Sequence, residues 1–337
     1  MSDSPAPWLR VQLASLTRQR GHAWLLQGPS GLGQYELALA LASAWLCEQP
    51  QDQPEGGQGA CGHCGSCHLI AAQTHPDLAL LMPETDMLAR GWALGEKAQR
   101  EIDEKKRKPS RQIRVEAMLD VVEFSQRTSA RGRGKAMLVY PAERMNTITA
   151  NALLKTLEEP PGAMKFVLAS EAAHQLLPTI RSRCLGHTMT WPDAAAATAW
   201  LVEQGLDSTA AADWLRAAGG RPDDALHLAR EGLDVKFWHN LPRAMARGDA
   251  SALADWAPAR AVDALQKICH DLLALQQGAQ PRFFALQDLP APPSLAALAR
   301  WSKELLATAR TVDHPYNAGL MLEALVSEAR RTLHSSA

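Results

Sequence analysis

A short apolar run at residues 23–26 leads directly into GPSGLGQY at residues 28–35, and from there into an Ala/Leu-rich helical stretch at 36–46. Strand, glycine-rich loop and helix in that order are the context a phosphate-binding loop requires. Further short apolar runs at 78–82, 137–140 and 166–169 suit buried parallel strands. Between them Val115, Met118, Leu119 and Val122 recur at helical spacing. This alternation predicts an α/β fold with a parallel sheet wrapped by helices.

The loop keeps its shape but not its charge. Gly28 and Gly33 have the expected spacing, yet Gln34 stands where a lysine would reach the β- and γ-phosphates, and Tyr35 replaces the hydroxyl that would hold Mg²⁺. The second nucleotide element should be an apolar strand ending in two acids. In KAMLVYPAE, residues 135–143, Tyr140 and Pro141 take those places and Glu143 lies two residues beyond. Proline has neither carboxylate nor N–H, so metal binding and water activation have no residue there. Tight nucleotide binding and hydrolysis in the chain's own pocket are therefore not expected. A glycine-rich turn with no phosphate history is the alternative that the loop alone leaves open.

At 337 residues the chain exceeds what one core usually serves, so two or three domains are expected. After Asp193 the strand signals vanish, and helical stretches follow, broken at Gly219-Gly220, Gly232, Pro258 and the prolines of 290–293. A formal charge of −1 supplies no global field for holding nucleic acid, so any DNA contact is local or shared. The mixed charges of 96–111 read as a solvated insertion.

Residues 1–8 have no basic stretch leading into an apolar run, and no segment offers about 18 uninterrupted apolar residues. A cytoplasmic protein is expected, where clustered cysteines more often bind metal than pair. Cys47, Cys61, Cys64 and Cys67 give the spacing C-x13-C-x2-C-x2-C, which suits a tetrahedral Zn²⁺ site, while Cys184 and Cys269 stand alone. His63 and His68 share the loop and are alternative ligands. Four protein ligands would leave no position for water, so the metal is expected to be structural; it would brace a segment rich in glycine.

NALLKTLEEPP at 151–161, FVLAS at 166–170 and TIRSRC at 179–184 together resemble bacterial clamp-loader AAA+ proteins of the gamma, tau and delta-prime group, closely over the first 190 residues. The resemblance implies a RecA-like AAA+ domain to residue 187 with a zinc insertion at 47–67, a helical lid at 188–232 and a helical collar at 233–337. The family's zinc pattern matches the four cysteines. The missing lysine and acids resemble the delta-prime type, which implies a non-hydrolysing subunit of a hetero-oligomeric DNA polymerase III clamp loader. Implied partners are gamma or tau and delta subunits, with the sliding clamp and primed DNA reached through the complex and no membrane. Arg183 of the Ser-Arg-Cys triplet then matches the family's arginine finger, acting in trans on a neighbour's ATP; a surface salt bridge is its plainer reading. Near the second sensor position Asp223 stands where an arginine is expected, with Arg221 two residues early, and Ser170 lies near the first sensor position. The alternatives are an active, gamma-like ATPase and a free DNA-binding zinc protein.

Overall fold

Four strands predicted from the apolar runs lie side by side and parallel in a computed structural model that describes residues 5–232, 234–312, 314 and 317–335. In chain order the strands are β1 (Ala23–Gln27), a two-residue hairpin pair β2 (Gln51–Asp52) and β3 (Gln58–Gly59), then β4 (Leu78–Leu81), β5 (Lys135–Val139), β6 (Met164–Ser170) and β7 (Leu185–Thr188). The sheet order is β4-β5-β6-β1-β7, with Leu25 level with Leu168 and Leu138 level with Val167. β5 is buried at every position, as a central parallel strand covered on both faces must be.

Strand β7 has no counterpart among the predicted runs. Its sequence, Leu-Gly-His-Thr, is short and mostly exposed, as an edge strand can be, so hydrophobic patterning gives no signal there. The helices of this half are α1 (Pro7–Arg18), α2 (Gln34–Leu46), α3 (Gly65–Ala71), α4 (Glu84–Ala89), α5 (Glu96–Asp103), α6 (Val115–Gln126), α7 (Thr147–Glu158) and α8 (Pro178–Arg181). Residues 1–4, part of the segment read for a leader sequence, lie outside the described residues.

The 96–111 segment is more than a solvated run. Helix α5 buries nothing, but Arg107 beyond it turns back to pair with Glu84 at 2.5 Å and Glu101 at 2.7 Å, tying the segment to α4. The Arg107 guanidinium holds the Glu84 carboxyl below its ordinary range.

The chain divides into two units, Met1–Pro192 and Asp193–Ala337. Seven helices of the second are described: α9 (Ala194–Glu203), α10 (Ser208–Ala217), α11 (Pro222–Arg230), α12 (Val235–Arg247), α13 (Pro258–Gln276), α14 (Leu295–Thr311) and α15 (Ala318–Leu333). Gly219 and Gly220, at φ 65° and 84°, turn the chain between α10 and α11, and Pro258 starts α13. One core runs through Leu201, Trp214, Trp238, Ile268, Trp301 and Val326, so residues on both sides of 232 share it. Leu233, where the expected collar begins, lies outside the described residues.

Two polar devices brace this unit. Fully buried Asp271 accepts the backbone N–H groups of Arg282, Phe283 and Phe284 at 2.8–2.9 Å. His239 on α12 donates through Nδ1 to Asp288 at 2.5 Å and faces Asp213 of α10 through Nε2 at 3.4 Å. Burial alone would lower its pKa, but the two carboxylates outweigh that and raise it.

Candidate functional site

The glycine-rich loop joins β1 to α2 in the geometry of a phosphate cradle. Gly31 and Gly33 adopt φ 76° and 88°, a region a side chain would strain, and Gly33 caps α2. A Cβ on Gly28 would come 2.9 Å from Met189 Cβ. The cradle is furnished from within. Gln34 is 2% exposed, and its amide donates to the carbonyls of Gly28 at 3.0 Å and Pro29 at 2.5 Å. The side chain at the lysine position is therefore folded onto the loop itself.

Tyr35 at the start of α2 and Tyr140 just past β5 are both buried, and their rings meet at 5.5 Å between centroids. The position of the metal-binding hydroxyl and that of the acid are thus filled by one aromatic pair. Arg90, from the turn after α4, lays its guanidinium 4.1 Å from the Tyr35 centroid and 5.2 Å from that of Tyr140. It pairs with Glu36 at 3.3 Å. Trp92 Nε1 donates to the Tyr35 hydroxyl at 2.7 Å, and the Tyr140 hydroxyl donates to Glu171 at 2.6 Å. Burial pushes both phenols up, Tyr140 the more because Glu171 adds its charge, so both rings are neutral.

Glu143 is the carboxylate nearest the missing acids in sequence. It accepts the Ser170 hydroxyl at 2.7 Å and the backbone N–H of Glu171 at 3.2 Å. Ser170, fully buried, is thereby turned to a bond within the fold.

The four cysteines converge as their spacing predicts. Cys47 ends α2, Cys61 follows the β2–β3 hairpin, Cys64 caps α3 and Cys67 lies within it. Their sulfurs all lie within 4.8 Å of one another, with separations of 3.5 Å (Cys64–Cys67), 3.7 Å (Cys67–Cys47), 3.8 Å (Cys47–Cys64) and 3.9 Å (Cys61–Cys67). A tetrahedral zinc with Zn–S bonds of about 2.3 Å requires S···S edges of about 3.8 Å, so the donor set fits. The backbone N–H groups of Cys61 and Cys64 donate to Cys47 Sγ and Cys61 Sγ, each at 3.3 Å. Burial pushes the Cys47 and Cys67 thiols up. Against the desolvation of burial, N–H groups from Cys67 and Glu48 bring Cys64 down to about 6. His63 Nδ1 instead faces the Cys61 carbonyl at 2.9 Å, and neither His63 nor His68 belongs to the cluster.

An outer shell fixes the cluster to the sheet. Glu48 accepts Ser66 Oγ at 2.8 Å and Arg131 Nε at 2.7 Å. Buried Asp77, just before β4, accepts the N–H groups of Ala130 and Arg131 at 2.8 and 2.9 Å and the Ser129 hydroxyl at 3.0 Å.

Arg183 lies after α8, its side chain about one-third exposed at 34%. Its Nη1 donates to the Thr179 carbonyl at 2.8 Å, and its Nη2 pairs with Glu158 at the end of α7. Cys184 beside it is pushed up to about 11 by burial. Arg221 caps α11, donating to the Ala218 carbonyl and pairing with Asp224 at 2.9 Å. Arg90, Trp92, Glu171 and Glu158 were not singled out from the sequence, because only the fold brings them to these partners.

Among the described residues no helix is long and apolar enough to cross a membrane. The family model described as "DNA polymerase III, delta subunit" matches residues 9–190. The chain is 38% identical over 231 residues to DNA polymerase III subunit delta' of Pseudomonas aeruginosa, an alignment spanning 67% of this chain and 62% of that protein. It is 35% identical to the Escherichia coli subunit delta' over 77% of this chain and 76% of that one. The E. coli subunit tau is 33% identical over 49% of this chain and 21% of its own length. The glycine-rich loop, the altered strand end and the cysteine cluster all fall in the matched half, and the chain belongs to the delta' family of DNA polymerase III subunits.

Proposed function

We propose that this chain is the non-hydrolysing delta' subunit of a DNA polymerase III clamp loader, and that it serves the ATP chemistry of a neighbouring gamma or tau subunit. The observation that carries the reading is the Tyr35–Tyr140 contact beneath Arg90, at the place where a hydroxyl, a metal and an acid would work together. With Gln34 bonded to its own loop, the lysine position offers no cation to a triphosphate.

In this reading Arg183 reaches the neighbour's ATP. A guanidinium so placed stabilises charge spreading over the transferred phosphoryl oxygens, an effect of about 10³–10⁵ in rate where such fingers act. Cys47, Cys61, Cys64 and Cys67 hold a structural Zn²⁺ that braces residues 47–67. The helical lid at 188–232 and collar at 233–337 give the subunit its place in the ring, and the loader carries the sliding clamp to primed DNA.

Titration of the purified chain with Mg·ATP tests the first half: no binding at micromolar concentration and no turnover are expected, and tight binding with hydrolysis would restore the gamma-like alternative. For the second, Arg183→Ala in the reassembled loader is expected to slow DNA-stimulated ATP hydrolysis while the chain stays folded. An unchanged rate removes the trans role.

A further inference from the structure

We infer that Glu158 is a positioning residue for Arg183: it holds the guanidinium at one corner so that the remaining N–H groups point outward for a partner's phosphate oxygens. The inference rests on the trans role proposed above and adds to it the residue that sets the arginine's direction.

A guanidinium has five N–H donors in one rigid plane, so its direction is fixed once two corners are held. Here the corners are held by two different helices. Nη1 donates to the Thr179 carbonyl within α8 at 2.8 Å, and Nη2 pairs with the carboxylate of Glu158, the last residue of α7. The end of α7 that carries Glu158 is itself anchored. Leu157 beside it is fully buried, and its carbonyl meets His22 Nε2 at 3.0 Å, next to the start of β1. The side chains remain partly open, at 34% for Arg183 and 48% for Glu158, so the guanidinium is not sealed off from a partner.

Stability gives this pair little reason to exist. An ion pair this exposed is screened by water and contributes little to folding. Orientation does give it one, because an arginine free to sample many rotamers would lose that freedom on meeting the phosphate, whereas one already held loses less. Misplacement of a catalytic group by about 1 Å can cost about 10²-fold in rate.

The test uses the loader reassembled from this chain and its own gamma or tau and delta partners. Four forms of the chain are compared: unaltered, Arg183→Ala, Glu158→Ala and the double variant, with melting curves to establish that each is folded. Glu158→Ala is expected to lower the kcat of DNA-stimulated ATP hydrolysis about tenfold with KM for ATP unchanged, because the neighbour's pocket still binds its nucleotide. In the Arg183→Ala background the same change should add nothing, since there is no longer a side chain to aim. Glu158→Gln, which keeps an acceptor oxygen without the charge, should lose less than Glu158→Ala and covers the case in which the alanine variant misfolds.

If Arg183→Ala leaves the rate intact, the trans role falls and this inference with it. If Arg183→Ala slows the loader while Glu158→Ala leaves the rate unchanged or raises it, only the role of Glu158 falls. A further loss in the double variant would mark Glu158 as structural and would likewise overturn the assignment.

Discussion

Tyr35 and Tyr140 stand 105 positions apart in sequence yet meet ring to ring at 5.5 Å, each at a position where a working nucleotide pocket needs a small polar side chain. The two changes are one packing event. A tyrosine at only one of the positions would lack its aromatic neighbour, and Arg90 would lie over one ring instead of two. Restoring Gln34→Lys alone should therefore fail to restore ATP binding, because the space beyond the loop stays filled; equilibrium titration with a fluorescent ATP analogue checks this.

Tyr35→Phe keeps the ring and removes one oxygen. That oxygen is the acceptor for buried Trp92 Nε1 at 2.7 Å. An orphaned buried N–H costs about 1–3 kcal/mol, so the urea midpoint of the first unit should fall measurably. An unchanged midpoint would mean that Trp92 finds another acceptor.

Metal analysis should return about one zinc per chain, and replacing Cys64 with serine should abolish it. Stripping the metal with a chelator should open residues 47–67 to proteolysis while the far-ultraviolet signal of the helical second unit stays intact. A metal-free chain equally resistant to protease would show that the thiols alone suffice.

Asp271→Ala removes the acceptor shared by the N–H groups of Arg282, Phe283 and Phe284. With the Phe284 N–H left buried and unpaired, and those of Arg282 and Phe283 partly so, a loss of about 1–3 kcal/mol is expected. Denaturant unfolding followed by tryptophan fluorescence reads it directly, since Trp238 stacks on Phe284 at 4.8 Å.

His239 gives stability a pH dependence of defined sign. Its pKa is raised in the folded chain by Asp288 and Asp213, so its contribution is full below the ordinary histidine value of 6.5 and is lost as pH climbs through the raised one. His239→Gln should flatten the fall in the urea midpoint across that window. Because the ring is partly open to solvent, the effect is expected to be modest. An equally steep fall in the variant would assign the dependence to other groups.

The sheet was legible where its strands carry unbroken apolar runs. The runs at 78–82, 137–140 and 166–169 needed only hydrophobicity to be seen, whereas Leu185–Thr188 joins the sheet through backbone bonds to β1 and leaves no pattern in its side chains. The cysteine cluster was legible because its ligands are close in sequence and chemically particular. The absence of lysine and acid could be read letter by letter. How the replacing residues pack could not: Arg90 reaches the tyrosines only because the chain after β4 folds over the loop, and no local spacing encodes that. For the same reason 96–111 read as a solvated run, although one of its arginines, Arg107, is engaged by Glu84.

Asp77 gathers the turn at 129–131 beneath the first residue of β4, and Arg131 in that turn grips Glu48 beside the cysteines. A border strand of only four residues, with β5 alone at its side, is thus anchored through the same few contacts that steady the thiolate cluster. Disturbing the cysteine cluster would therefore not stay confined to its loop: it would loosen the rim of the sheet and expose amide groups that invite a foreign chain.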